Sequence, residues 1–346
     1  MHHELYMKRC LQLAENGLGT TYPNPLVGSV IVHKDTIIGE GWHRKSGEPH
    51  AEVNAVRSVK DQSLLKNSTL YVNLEPCSHF GKTPPCSDLI VSLGIPEVVI
   101  GTMDPHEKVA GKGIERLRAA GVKVTVGVLE QECLALNKRF FTFHNQQRPY
   151  VILKWAESAD GFIAPLHKET PQPVWISGEV SRQLVHKWRS EEQSILVGTQ
   201  TVIDDNPRLN VRDWAGNNQP IRLVIDKSGR IPARSHIFDN QQPTVVFSGK
   251  SVSSGEENII FERLDFDQDT VPKLVKALYS RGIQSVIVEG GRQTLQSFID
   301  AGLWDEARIF VGGASLKQGI SAPTLHRENA TRYSVGHDEL LILSKP

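Results

Sequence analysis

Two short runs carry the most specific chemistry in the chain. His50-Ala51-Glu52 sets an imidazole and a carboxylate two residues apart. Glu75-Pro76-Cys77-Ser78-His79-Phe80-Gly81-Lys82-Thr83-Pro84-Pro85-Cys86 sets two thiols around a proline-rich loop. One imidazole and two thiolates suit Zn²⁺, a borderline-soft ion, and three protein ligands leave a fourth position open for chemistry. His50, Cys77 and Cys86 are therefore the expected metal ligands. Zinc brings the pKa of a water down to about 7, and Glu52 is close enough in sequence to take that water's proton and hand it to a leaving group. His79 could be a fourth ligand, but a catalytic zinc keeps that place for water. A lone His-x-Glu or two distant cysteines would mean little; all three pieces in one order are specific.

These side chains need elements to hold them. Residues 4–18 carry Leu5, Met7, Leu11, Ala14 and Leu18 near helical spacing, with Gly17 and Gly19 ending the run. Val27–Val32 and Thr36–Gly41 read as a hairpin around His33-Lys34-Asp35. A helix over His50–Val59 puts His50 and Glu52 in its first turn, a strand over Thr69–Leu74 delivers Cys77 to a loop, and a helix over Cys86–Leu93 starts at the last ligand. Two helix N-termini then face the metal and favour thiolate. A strand at Val98–Ile100, a helix over 112–120, a strand at Val122–Val126 and a helix from Glu130 to about Phe143 complete an α/β sandwich.

At 346 residues, two domains are the natural expectation. Lys+Arg and Asp+Glu are both 39, so no basic field is present to attract nucleic acid, and a small-molecule substrate is expected. Four cysteines do not make a disulfide framework, and Cys10 and Cys133 read as core thiols in a reducing compartment. The N-terminus lacks the pattern of a signal peptide, and no apolar run reaches the length of a spanning helix. The expectation is a cytoplasmic protein with no membrane association, and a homo-oligomer (dimer or higher) fits exposed apolar surface on its second sheet.

The polar stretch His144-Asn145-Gln146-Gln147-Arg148-Pro149 is the best boundary, giving domains over 1–145 and 149–346. Beyond it, a strand at Tyr150–Trp155 is followed by β-rich runs at Ser194–Gly198, Ile221–Ile225, Thr244–Phe247, Asn258–Phe261, Ser285–Glu289 and Ala307–Val311. These alternate with helices near 177–189, 271–281 and 293–301. Such alternation predicts a mainly parallel sheet. In Val286-Ile287-Val288-Glu289-Gly290-Gly291-Arg292, a buried strand runs through two glycines into a helix. That arrangement can bring backbone N–H groups to a pyrophosphate, although a Gly-Gly turn alone is often only a turn.

The order H-x-E, P-C and a later Cys is the pattern of zinc deaminases that act on nucleobases. Together with Asn24-Pro25-Leu26-Val27-Gly28 and the long gap between Cys77 and Cys86, it resembles the first half of the bifunctional riboflavin-biosynthesis deaminase/reductase family (RibD/RibG type). The resemblance implies a cytidine-deaminase-like α/β/α sandwich followed by a dihydrofolate-reductase-like α/β domain. The implied reactions are zinc-dependent deamination of 2,5-diamino-6-(5-phosphoribosylamino)pyrimidin-4(3H)-one and NADPH reduction of its ribosyl chain to give 5-amino-6-(5-phosphoribitylamino)uracil. In the first half it implies that Asn24 bonds the pyrimidine and that His43 and Lys82 line the substrate site.

The second half continues the resemblance through Lys154-x-Ala156, Asp160-Gly161, Trp175-Ile176-Ser177, Gly198-Thr199-x-Thr201, Asp205-Asn206-Pro207, Leu209, Val211-Arg212 and Glu289-Gly290-Gly291. By that resemblance Ala156, Trp175, Thr201, Asp205, Gly291 and Arg292 contact NADPH, while Arg189, Leu209, Arg212 and Glu289 hold the phosphoribosyl substrate. A guanidinium fork matches phosphate oxygens. Lys154 and Asp205 are the polar groups expected beside the reacting sugar carbon, and Lys227 or Arg230 the candidates for the 2′-phosphate. Pro173, within Leu166–Val174, stands where the family often has a serine, and Val311-Gly312-Gly313-Ala314 where it has a proline-containing turn.

Two other readings compete. A deaminase acting on nucleic acid is disfavoured by the neutral charge. A structural zinc protein with a nucleotide-binding second domain would need a closed four-ligand site, with His79 as the fourth ligand.

Overall fold

The computed structural model describes residues 2–78, 84–105, 110–167, 174–216, 218–250 and 255–345. The chain divides into two compact units, Met1–Gln147 and Arg148–Pro346. Among the described residues, no helix is long and apolar enough to cross a membrane.

The first unit runs α1 (His3–Glu15), β1 (Gly28–His33), β2 (Thr36–Trp42), α2 (Ala51–Ser58), β3 (Thr69–Leu74), α3 (Cys86–Ser92), β4 (Glu97–Thr102), α4 (Lys112–Ala119), β5 (Lys123–Val126), α5 (Glu130–Leu136) and α6 (Lys138–Gln146). Its sheet has the order β2-β1-β3-β4-β5. β1 pairs antiparallel with β2 and β3, and β3, β4 and β5 are parallel. The two-residue period of a strand sends alternate side chains to opposite layers. Ile31, Leu70, Val72, Val98 and Ile100 pack with Ala55, Ile90 and Ile114 from α2, α3 and α4. Val30, Val32, Tyr71 and Val99 pack with Met7, Cys10 and Cys133 from α1 and α5. The hairpin turn is Lys34-Asp35, both at positive φ (48° and 60°), the backbone that matches strand twist in a two-residue turn. Gly41 lets α2 lie directly on β2, since a Cβ there would stand 2.3 Å from the Ala55 nitrogen.

Two helices differ from expectation. α1 stops at Glu15 rather than running to residue 18, because the Asn16 side-chain amide donates to the Gln12 and Leu13 carbonyls and caps the last turn. The single helix expected over Glu130–Phe143 is two. It breaks at Asn137, whose buried amide accepts from Leu26 N–H at 2.8 Å and donates to the Leu26 carbonyl at 2.9 Å. α6 continues through Gln146, so part of the stretch expected to be a linker is helical, and the chain turns at Gln147 (φ 53°).

The second unit runs β6 (Tyr150–Glu157), β7 (Phe162–Ala164), α7 (Glu179–Glu191), β8 (Ser194–Gly198), α8 (Thr199–Asp205), β9 (Ile221–Ile225), β10 (Thr244–Ser248), β11 (Ile259–Arg263), α9 (Thr270–Ser280), β12 (Ser285–Val288), α10 (Arg292–Asp300), β13 (Glu306–Val311), β14 (Ile320–Ser321), β15 (Thr331–Val335) and β16 (Asp338–Ser344). The large sheet has the order β11-β10-β9-β8-β12-β6-β13-β16-β15, and β14 pairs β7 separately. The expected parallel pairing holds from β11 to β13. The antiparallel addition of β16 and β15, and the short helix α8, were not expected. β6 reads as a continuous apolar run because both faces are covered: Val151, Leu153 and Trp155 meet α9 and α10, and Tyr150 and Ile152 meet α7.

Candidate active sites

In the first unit, three elements deliver the metal-binding side chains. His50 is the N-cap of α2, Cys77 follows the end of β3, and Cys86 opens α3. His50 Nδ1 lies 3.6 Å from Cys77 Sγ and 3.4 Å from Cys86 Sγ, and the three ligand atoms lie within 4.8 Å of one another. A tetrahedral zinc ion would hold a nitrogen and a sulfur about 3.6 Å apart, given its ordinary bond lengths. The donor set and its spacing therefore fit zinc, with three ligands among the described residues. His79 and Lys82 lie outside the described residues.

Zinc binding at the trio must displace protons from His50 and Cys86, since both are held above their ordinary values while Cys77 is lowered. A hydrogen bond from Cys86, then His50, brings the Cys77 thiol down to about 4 against its burial. The Cys86 N–H also donates to Cys77 Sγ at 3.3 Å. His50 is held up at about 9, chiefly by its hydrogen bond with Cys77. Glu52 is 3% exposed in the first turn of α2. Burial pushes its carboxyl above the usual range, as a group that must carry a proton between two atoms requires.

Asn24 and His43 are brought together. Asn24 Nδ2 lies 3.0 Å from His43 Nε2, and His43 Nδ1 lies 3.2 Å from the Pro49 carbonyl. An amide nitrogen only donates and a carbonyl only accepts, so the consistent imidazole is neutral with its proton on Nδ1. Burial keeps it so by lowering its pKa. The ring packs edge-on against His50 at 5.5 Å between centroids. The turn carrying Asn24 is held from beneath by Asn73, which accepts from Gly28 N–H and donates to the Leu26 carbonyl, and by Asn137. Neither asparagine was singled out from the sequence: Asn73 shows there only as a polar residue inside the apolar strand β3, and Asn137 only as a polar residue within a helical run.

In the second unit, one cavity of about 1890 Å³ is lined by Lys154, Ala156, Trp175, Arg189, Thr201, Asp205, Leu209, Arg212, Glu289, Gly291 and Arg292, with Lys227 and Arg230 at its border. Every residue assigned to this half by resemblance thus borders one space. Ligand pockets typically run to about 1,000 Å³, so this one can take a dinucleotide and a second molecule together. Two strand-to-helix turns, β8 to α8 and β12 to α10, open side by side on it, which fits a cofactor carrying a pyrophosphate.

Several details correct the sequence reading. Arg189 and Arg212 are not an equivalent pair. The Arg189 fork is engaged by Glu289, while the Arg212 side chain is 44% exposed, with Nε 3.6 Å from Asp213 Oδ2 and Nη1 donating to Asn210 Oδ1 at 3.4 Å. The Gly291 amide is not free for a phosphate, since it donates to Thr201 Oγ1 at 2.9 Å. Leu209, at φ 55°, buries its side chain with Val197, Val202 and Val224. Trp175 is 57% exposed, with the Arg182 guanidinium 4.7 Å over its ring. Pro173 lies outside the described residues.

The sequence reading missed His186. It is buried on α7, one turn before Arg189, and borders the same cavity. Its Nδ1 accepts the Arg212 N–H at 3.4 Å, and its Nε2 lies 3.2 Å from Asp213 Oδ2. The spacing His186-x-x-Arg189 on a helix places both on one face, and that was the available signal.

A family model for the cytidine and deoxycytidylate deaminase zinc-binding region matches residues 1–102, and one for the RibD C-terminal domain matches residues 149–319. The chain is 40% identical over 321 residues to riboflavin biosynthesis protein RibD of Aquifex aeolicus, covering 91% of this chain and 88% of that protein. It is 42% identical over 330 residues to RibD of Bacillus amyloliquefaciens, covering 92% and 88%. Among solved structures, the diaminohydroxyphosphoribosylaminopyrimidine deaminase/5-amino-6-(5-phosphoribosylamino)uracil reductase of Thermotoga maritima superposes with a TM-score of 0.89 at 34% identity, covering 99% of this chain and 98% of that one. Acinetobacter baumannii RibD gives 0.88 at 32% identity, with 99% and 98% covered.

Proposed function

The chain belongs to the RibD family of riboflavin-biosynthesis proteins, and from that membership we propose which of its residues carry each reaction. It is a bifunctional enzyme, a zinc-dependent deaminase followed by an NADPH-dependent reductase. The observation that carries the residue assignment is the convergence of His50 Nδ1, Cys77 Sγ and Cys86 Sγ within 4.8 Å, with the buried Glu52 two residues from His50.

In the deaminase, His50, Cys77 and Cys86 hold the zinc, which supplies a Lewis acid able to make water nucleophilic at neutral pH. Asn24 orients the pyrimidine ring, and His43 fixes the Asn24 amide so that its oxygen is the atom left to meet the ring. Glu52 takes a proton from the attacking water, places it on the ring nitrogen and assists departure of ammonia, so that an amine is exchanged for a carbonyl oxygen.

In the reductase, NADPH supplies the hydride. Ala156, Trp175, Thr201, Asp205 and the Gly291-Arg292 turn form its bed. Arg212, half-exposed beside Asp213, takes the sugar phosphate. Lys154 and Asp205 stand as polar partners where the open-chain ribosyl carbon is reduced. Glu289 holds Arg189 and Lys154 in place. We assign as first substrate the diaminopyrimidine ribosylamine phosphate that the Thermotoga maritima relative is named for. The zero formal charge supports a small-molecule enzyme that does not bind nucleic acid, working in the cytoplasm.

Glu52→Gln tests the assignment. It should lower ammonia release by at least about a hundredfold, leave zinc content unchanged, and leave NADPH oxidation intact when the deaminated intermediate is supplied. Full ammonia release by the variant would remove Glu52 from the mechanism.

A further inference from the structure

We propose that Glu75 is a positioning residue of the deaminase, fastening the Pro76-Cys77 turn to the start of α4 so that Cys77 meets the metal. The inference rests on the reading of His50, Cys77 and Cys86 as zinc ligands.

Glu75 is the last residue on the regular path of β3 and β4, where its N–H donates to the Thr102 carbonyl at 3.0 Å. Its side chain is buried (4% exposed) and its carboxylate accepts four backbone N–H groups. Oε1 takes Gly113 at 2.9 Å and Ile114 at 3.2 Å; Oε2 takes Gly111 at 2.9 Å and Asp104 at 3.3 Å. A buried carboxylate without partners is strongly unfavourable. Here it meets the unpaired donors at a helix start, whose partial positive charge adds to the attraction. One side chain thus satisfies the N-terminus of α4 and ties it to the chain that is about to carry a metal ligand.

A second contact points the same way. A Cβ on Gly113 would stand 2.1 Å from the Pro76 carbonyl oxygen, so α4 begins directly against the turn itself. Pro76 has a fixed φ. Cys77 therefore leaves a turn held by the Glu75 carboxylate on one side and the Gly113 backbone on the other. Its Sγ then lies 3.6 Å from His50 Nδ1. Glu75 acts through Cys77, and no contact with substrate is assigned to it.

The test is cobalt binding to the full chain stripped of zinc, with Co²⁺ alone as the probe. It reads the thiolate-to-cobalt absorption band and the affinity by competition with a chelator, beside far-UV circular dichroism of the apo-protein. Glu75→Gln keeps the size of the side chain. Its amide nitrogen, however, would face N–H groups where a carboxylate oxygen now accepts. The expected result is a folded apo-protein whose Co²⁺ affinity falls about tenfold or more, the usual scale for groups supporting metal ligands, with the band reduced toward that of one thiolate. Gly113→Ala keeps the carboxylate and pushes on Pro76 instead, and should give the same spectral change. Wild-type affinity and band in a folded Glu75→Gln would overturn the positioning role. Loss of the far-UV signal in both variants would also overturn it, making Glu75 a folding residue. Absence of a thiolate band in the wild-type protein would instead overturn the zinc reading beneath it.

Discussion

Arg189 closes on Glu289 with two parallel hydrogen bonds, Nε to Oε1 at 2.9 Å and Nη2 to Oε2 at 2.8 Å. Lys154 Nζ stands 3.7 Å from the same Oε2. Two cations, one from α7 and one from β6, therefore share a single carboxylate at the end of β12, on the wall of the reductase cavity. Removing the shared partner leaves two mostly buried positive charges beside each other. Glu289→Gln should destabilise the second unit by about 3–5 kcal/mol and lower reductase activity. Thermal unfolding of the variant within about 1 kcal/mol of wild type would show that the triad carries little of the fold.

The link between Asn24 and His43 makes a separate prediction for the deaminase. His43→Phe keeps a ring of similar shape but removes the acceptor for the Asn24 amide, freeing it to rotate. KM for the diaminopyrimidine should rise about tenfold, the scale of one net hydrogen bond, with a smaller change in kcat and no loss of zinc. An unchanged KM would separate His43 from substrate recognition.

The second unit should weaken in acid in two steps. Burial, then Arg189 and Arg212, hold His186 down to about 4. Burial would raise the Glu289 carboxyl, but Arg189 and Lys154 outweigh it and hold it at about 2. In the unfolded chain the same groups titrate near 6.5 and about 4.3. The unfolded state therefore binds more protons than the folded one from about pH 6.5 to 4, and again from about pH 4.3 to 2, so stability falls as pH falls through each window. Urea unfolding across this range should show both slopes, and His186→Gln should flatten the upper one alone. Equal slopes for the variant and the wild type would remove His186 as the source.

Most of the architecture was legible because it rests on patterns a single chain displays. The continuous apolar runs Val30-Ile31-Val32 and Leu70-Tyr71-Val72 mark strands covered on both faces, and His50, Glu52, Cys77 and Cys86 sit at element ends, where ligands converge. What escaped notice depends on contacts between residues distant in sequence. The break at Asn137 follows from its hydrogen bonds to Leu26, 111 positions away. β15 and β16 join the sheet by pairing with β13, and nothing in their own sequence names that partner. The arginines looked equivalent as residue types; only the fold shows that Arg189 is held in a two-bond pair with Glu289 while Arg212 is half-exposed beside Asp213. His186 was passed over because a lone histidine on a helix is most often a core residue, and its partners Arg212 and Asp213 come from a loop beyond α8.

The central claim is that one chain carries out both reactions, and the most direct test reads both together. Zinc-loaded protein is mixed with the diaminopyrimidine ribosylamine phosphate and NADPH, and ammonia release and NADPH oxidation are followed in the same tube. The account predicts ammonia first and NADPH loss after it, with the second signal absent when zinc is stripped and restored when the deaminated intermediate is added. NADPH oxidation without ammonia release, or silence in both channels from zinc-loaded protein, would contradict it.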